Sequence, residues 1–186
     1  MKKLLFFCLV SLAVALASCD DQWKVYDASE FTIEFPGIAH DTVTMEGDYA
    51  GVRSYFEPVK GSLDSNVYYS VSMYTLPDSA SELGDDLKGF FQSDVKVYAY
   101  YIGGILSDSG TAVKSGTTPG WEFKVFLAGN SGVATIRKFA YGKHLYTLLV
   151  VTENNKLNNT AIRRFMDSFR LKPAGSKQSA ADSLHK

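Results

Sequence analysis

The sequence predicts an α+β fold: an antiparallel meander of strands accompanied by two amphipathic helices. Three observations predict it. Runs with a period of two recur between turn signals, beginning with Phe31-Thr32-Ile33-Glu34-Phe35 and its stop at Pro36-Gly37. Successive runs are joined by short turns, which connect antiparallel strands, whereas a parallel pair needs a crossover of about a dozen residues or more. The period changes to helical spacing around residues 83–98 and again around 162–169. The chain has 186 residues, 46% hydrophobic and 21% charged, enough for one globular domain with its own core.

The elements follow in order. Lys2 and Lys3 form a positive n-region, residues 4–16 an apolar h-region, and Ala17, Ser18 and Cys19 a small-residue processing site, the pattern of a secretion signal. The apolar run is shorter than the roughly 20 residues of a permanent membrane-spanning helix. The predicted organisation is a signal peptide at 1–18, a polar tether at 19–29, one domain at 30–172 and a disordered tail at 173–186. Trp23 and Tyr26 are the large apolar groups of the tether. After the strand at 31–35 come strands at 40–45, 49–59 and 67–76, separated by turn clusters. Ser79-Ala80-Ser81-Glu82 is a capping box that opens a helix at 80–101, with Leu83, Leu87, Phe90, Phe91, Val95 and Tyr98 along one stripe. Gly84 and Gly89 weaken that helix by about 1 kcal/mol each, and Gly103-Gly104 stops it. Residues 105–116 read as an irregular connector holding one short strand.

The most regular stretch is 119–171. Trp121, Phe123, Val125 and Leu127 share one strand face, Gly129-Asn130-Ser131-Gly132 turns, and 133–141 is the next strand. Gly142-Lys143 turns into 145–152, a nearly continuous run of Leu, Val and Tyr, as expected of a central strand covered on both faces. Asn158 or Asn159 caps the last helix, whose stripe is Ile162, Phe165, Met166 and Phe169.

Leu16-Ala17-Ser18-Cys19 resembles the bacterial lipoprotein box. The resemblance implies that Cys19 becomes the new N-terminus and carries acyl chains, each buried methylene contributing about 0.8 kcal/mol of membrane affinity. Cys8 leaves with the signal, so the domain has no thiol for a disulfide or a thiolate metal site. The expected location is the bacterial cell envelope, lipid-anchored at the outer membrane, on its periplasmic side or at the cell surface. Removing Lys2 and Lys3 from the 19 basic residues leaves 17 against 20 acidic, a formal charge of −3, with no basic stripe for nucleic acid.

Four motifs then occur in a fixed order: F-T-I-E-F-P-G from Phe31, P-G-W-E-F-K-V from Pro119, R-K-F-A-Y-G-K-H-L-Y-T-L-L-V-V from Arg137, and R-R-F-M-D-S-F-R-L from Arg163. This order resembles the Mog1/PsbP-like domains of the bacterial lipoprotein type, over roughly residues 29–172. The resemblance implies an antiparallel sheet with helices on both faces, an α/β/α sandwich, and a protein that acts by binding. It supplies no site residues here.

Candidate chemistry is sparse. His40, His144 and His185 have no joint ligand spacing, so no metal and no other cofactor is expected. Serines lie outside G-x-S-x-G, and the glycine loops at 103–104 and 129–132 do not open a helix with G-K-[ST]. Tyr68, Tyr69, Tyr74, Tyr98, Tyr100 and Tyr101 form a tyrosine-dense region, readable as core packing or as a stacking platform for a ligand. Thr42, Ser79 and Ser183 each sit in an acidic–hydroxyl–aliphatic triplet that resembles a bacterial O-glycosylation acceptor. The expected function is a non-catalytic envelope module that binds a protein or a small ligand. The alternatives are an envelope enzyme using Asp85, Asp86 or Glu122, and a purely structural component.

Overall fold

A computed structural model describes residues 23–46, 49–59, 66–76, 86–107, 109–153 and 159–173. The signal segment with Cys19, the capping box at 79–82 and the tail from 174 onward lie outside the described residues.

The strands are β1 (Lys24–Asp27), β2 (Phe31–Phe35), β3 (His40–Glu46), β4 (Tyr49–Phe56), β5 (Asn66–Thr75), β6 (Gly104–Leu106), β7 (Thr111–Ser115), β8 (Thr118–Leu127), β9 (Gly132–Tyr141), β10 (His144–Glu153) and β11 (Arg170–Leu171). The helices are α1 (Leu87–Tyr101) and α2 (Thr160–Ser168). All pairings are antiparallel. They make a three-stranded sheet, β1-β2-β11, and an eight-stranded sheet in the order β3-β4-β5-β10-β9-β8-β6, with β7 also on β8.

β10 lies between β5 and β9, the central place its composition predicts. Its side chains alternate between two apolar clusters. Tyr146, Leu148 and Val150 pack with Phe31, Ile33 and Phe35 of β2 and with Ile162, Phe165 and Met166 of α2. Leu145 packs with Phe91, Val95 and Ala99 of α1 and with Phe123 and Ile136. A period of two thus feeds both sides of one sheet, as strand geometry dictates. Each helix begins on a side-chain cap: Asp86 accepts from the Gly89 amide, and Asn159 from the Ile162 amide. The Asn159 cap is tied inward, because Asn66 bonds it while also accepting from the Thr152 hydroxyl at 2.6 Å. That network fixes the start of α2 to β5 and β10.

Two parts differ from the sequence-based expectation. Residues 105–116 hold two strands rather than one, because Gly116 takes a positive φ of 59° and closes a tight hairpin in which Ser115 pairs with Thr118. Pro119 sits beyond the first β9 partner, Gly120, so its missing N–H costs that ladder nothing. The second difference is the small sheet. Lys24–Asp27, within the stretch read as tether, pairs along β2, and Tyr26 packs against Phe31 and Phe35. Its charged ends, Lys24 and Asp27, mask a strand whose partner is supplied by β2.

Candidate ligand cavity

One row of the large sheet carries the polar groups of the site. Arg53 on β4 pairs with Ser72 on β5, Ser72 with Thr147 on β10, and Thr147 with Lys138 on β9. Residues directly paired across antiparallel strands point to the same face. Four neighbouring strands therefore present guanidinium, hydroxyl, hydroxyl and ammonium in line, across about 14 Å at the usual strand spacing. The neighbouring rows are mainly apolar: Leu145 stands between Tyr74 and Ala140, and Leu149 between Ile136 and the one small hydroxyl of Ser70.

α1 lies over this row without filling it. A cavity of about 500 Å³ remains between helix and sheet, walled by the polar row and by Leu76, Phe90, Val95, Ile136, Leu145 and Leu149. That volume falls within the range of small-molecule sites, about 300–1,000 Å³. At one end Lys138, 2% exposed, is neutralised by the Asp94 carboxylate of α1. At the other, Arg53 Nε donates to Ser72 Oγ at 3.1 Å. Burial works against the Arg53 charge, but the Tyr74 and Tyr68 hydroxyls outweigh it and push its pKa up. Burial also raises the Tyr98 hydroxyl, although Arg53 pulls it the other way. Between the two cations, the Thr147 hydroxyl is buried in the cavity wall and has no hydrogen-bond partner among the described residues.

The tyrosine-dense region divides. Tyr74, Tyr98 and Tyr101 line the cavity. Tyr68, half-buried, stacks on Tyr55 with ring centroids 6.1 Å apart. Tyr69 leaves the set: it is 0% exposed on the opposite face of the sheet, with its ring 5.3 Å from Phe165. Tyr100 is 82% exposed and touches Tyr101 rather than the cavity. The parity of β5 separates Tyr69 from Tyr68 and Tyr74, as alternation requires.

The other candidates stay apart. Asp86 is engaged as the α1 cap, and Glu122 accepts from Arg137 Nε at 2.6 Å. Asp85 lies outside the described residues. His40 opens β3 against Tyr55, and His144 sits 3.3 Å from the Thr75 hydroxyl and 3.9 Å from Glu30. His185 lies outside the described residues. Among the described residues, no three His, Cys, Asp or Glu side chains group as metal ligands. Thr42 is exposed on the edge strand β3, while Ser79, Ser183 and Cys19 lie outside the described residues.

Sequence reasoning missed Arg53, Ser72, Thr147 and Lys138. Their local signal is faint: Thr147 interrupts an apolar run, but Arg53, Ser72 and Lys138 have other polar residues beside or near them. Only the strand register brings them into one row.

No protein-family model matches the sequence, and no curated protein matches it. Solved structures do. Cyanobacterial PsbP (CyanoP) from Synechocystis sp. PCC 6803 superposes with a TM-score of 0.56 at 11% identity, over 83% of this chain and 95% of that one. The chain has the PsbP-like fold. LpqN of Mycobacterium tuberculosis, a protein involved in cell envelope biogenesis, also matches, with a TM-score of 0.42 at 14% identity over 82% of this chain and 91% of that one. The PsbP-like domain accounts for the antiparallel sheets and the two helices, and the cavity beneath α1 is built on it.

Proposed function

We propose that this chain is a lipid-anchored protein of the bacterial cell envelope whose PsbP-like domain binds a small ligand in the cavity beneath α1 and does no chemistry on it. In this reading α1 and α2 flank the large sheet from opposite sides, completing an α/β/α sandwich. The observation that carries the binding role is the cavity itself: apolar walls around a few convergent polar groups are the general form of a ligand site. The non-catalytic reading rests on how those groups are committed. Lys138 and Asp94 neutralise each other, and Arg53 holds its charge and is no general base. The enzyme alternative has less support, since Asp86 caps a helix and Glu122 sits in an ion pair.

The envelope location and the anchor rest on the signal segment and on Leu16-Ala17-Ser18-Cys19. Mass spectrometry of the membrane-extracted protein tests them: a mature N-terminus at Cys19 bearing acyl chains is expected, and an unmodified Cys19 sinks the anchor. Binding is tested by native mass spectrometry of the protein released from its own envelope. A co-purifying small molecule is expected, and Val97→Trp, at the exposed mouth of the cavity, removes it without unfolding the chain. A ligand that survives this substitution places the site elsewhere.

A further inference from the structure

We infer that the cavity takes a small organic monoacid, its apolar body between α1 and the sheet and its carboxylate held by Arg53 and the Thr147 hydroxyl. The inference rests on the cavity being the ligand site and names what that site accepts.

Three observations converge. The first is charge. Of the two cations in the row, Lys138 already faces Asp94, whereas no carboxylate among the described residues pairs with Arg53. Among the described residues the site therefore holds one uncompensated positive charge, which suits a single negative charge. A half-buried guanidinium keeps its proton and offers donors in a fork that matches a carboxylate.

The second is direction. The bond from Arg53 Nε to Ser72 Oγ lays the guanidinium along the row toward β10, and Thr147 is Ser72's directly paired neighbour there. Thr147's hydroxyl is buried and has no partner among the described residues. A carboxylate seated over Ser72 meets the guanidinium with one oxygen and accepts the Thr147 proton with the other. A buried hydroxyl without a partner is costly, and a ligand acceptor removes that cost.

The third is the apolar share of the wall. Leu76, Phe90, Val95, Ile136, Leu145 and Leu149 offer no hydrogen bonds and outnumber the hydroxyls of Ser70, Tyr98 and Tyr101, so the body of the ligand is mainly hydrocarbon.

The test compares octanoate with 1-octanol, the same body without the charge, by isothermal titration of the purified full chain at pH 7. The expected result is binding of both, with octanoate about tenfold tighter or more, the worth of a charge-assisted hydrogen bond. Arg53→Gln removes that preference and Arg53→Lys keeps most of it, so a folding defect in one variant does not decide the matter. Thr147→Val weakens octanoate more than octanol. Equal affinity for the two, or a preference that survives Arg53→Gln, overturns the acid inference while the cavity stands. Binding of neither overturns both readings.

Discussion

Replacing Asp94 by Asn is predicted to destabilise the protein far more than replacing its partner Lys138 by Met. The reason is unequal burial. The Lys138 side chain is 3% exposed and Asp94 26%. Asp94→Asn takes the carboxylate from a cation that water cannot reach. Breaking a fully buried pair in this way costs about 3–5 kcal/mol, and the partial exposure of Asp94 brings the expected cost to about 2–3 kcal/mol. Lys138→Met removes the buried charge altogether, fills similar volume with an apolar chain, and leaves a carboxylate that water reaches. Its expected cost is about 0–1 kcal/mol. The assay is urea unfolding of each single variant and of the double variant at pH 7, analysed by linear extrapolation. At about 2–4 °C per kcal/mol for a domain of this size, Asp94→Asn lowers Tm by about 4–12 °C. Adding Lys138→Met to Asp94→Asn restores most of the loss. If Asp94→Asn costs under about 0.5 kcal/mol, or Lys138→Met costs as much as Asp94→Asn, Asp94 does not neutralise a buried Lys138 as argued.

Three further outcomes follow from the same geometry. Phe165, fully buried between Phe35 and Tyr69, is expected to cost about 3–5 kcal/mol when cut to Ala, measurable by the same unfolding assay. Thr147→Val is expected to raise the stability of the ligand-free protein by about 0.5–1.5 kcal/mol, because it removes a buried hydroxyl that has no partner among the described residues, even as it weakens acid binding. Burial pushes the Tyr146 hydroxyl well above its ordinary value of 10.0, and the charge of Glu30 adds to the shift. The folded state then holds that proton when the unfolded chain has lost it, so stability is fully present below pH 10 and falls as pH rises above it. Tyr146→Phe is expected to flatten that alkaline decline in unfolding experiments run from pH 8 to pH 12, and an unchanged slope would remove Tyr146 as its cause.

Much of the scaffold was legible in the sequence, and for a physical reason. A strand covered on both faces needs apolar residues at every position, so β10 announces its central place by composition alone. The α2 stripe of Ile162, Phe165 and Met166 and its Asn159 cap depend on residues a turn or two apart, which local spacing reveals, whereas Phe169, read into the same stripe, lies just past the helix in extended backbone. β1 and β7 were less legible because each is a short strand whose pairing is set by a partner: β1 by β2, and β7 by the Gly116 turn and β8. The cavity was least legible of all. Arg53, Ser72, Thr147 and Lys138 are far apart in the chain, and a register slip of one residue in any of their strands turns that residue to the other face. Nothing local to these four residues states the register. For the tyrosines, alternation separated Tyr69 from Tyr68 and Tyr74, but which face was core depended on where Phe165 and α1 packed.

The central claim is that ligand enters between α1 and the large sheet. Methyl-resolved NMR of the chain titrated with octanoate tests it most directly, because the two apolar clusters carry separate reporters. Shifts are expected at Val95, Ile136, Leu145 and Leu149, with Ile33, Val71, Leu148 and Ile162 unmoved. Shifts confined to the second group, or spread evenly over both, would contradict it.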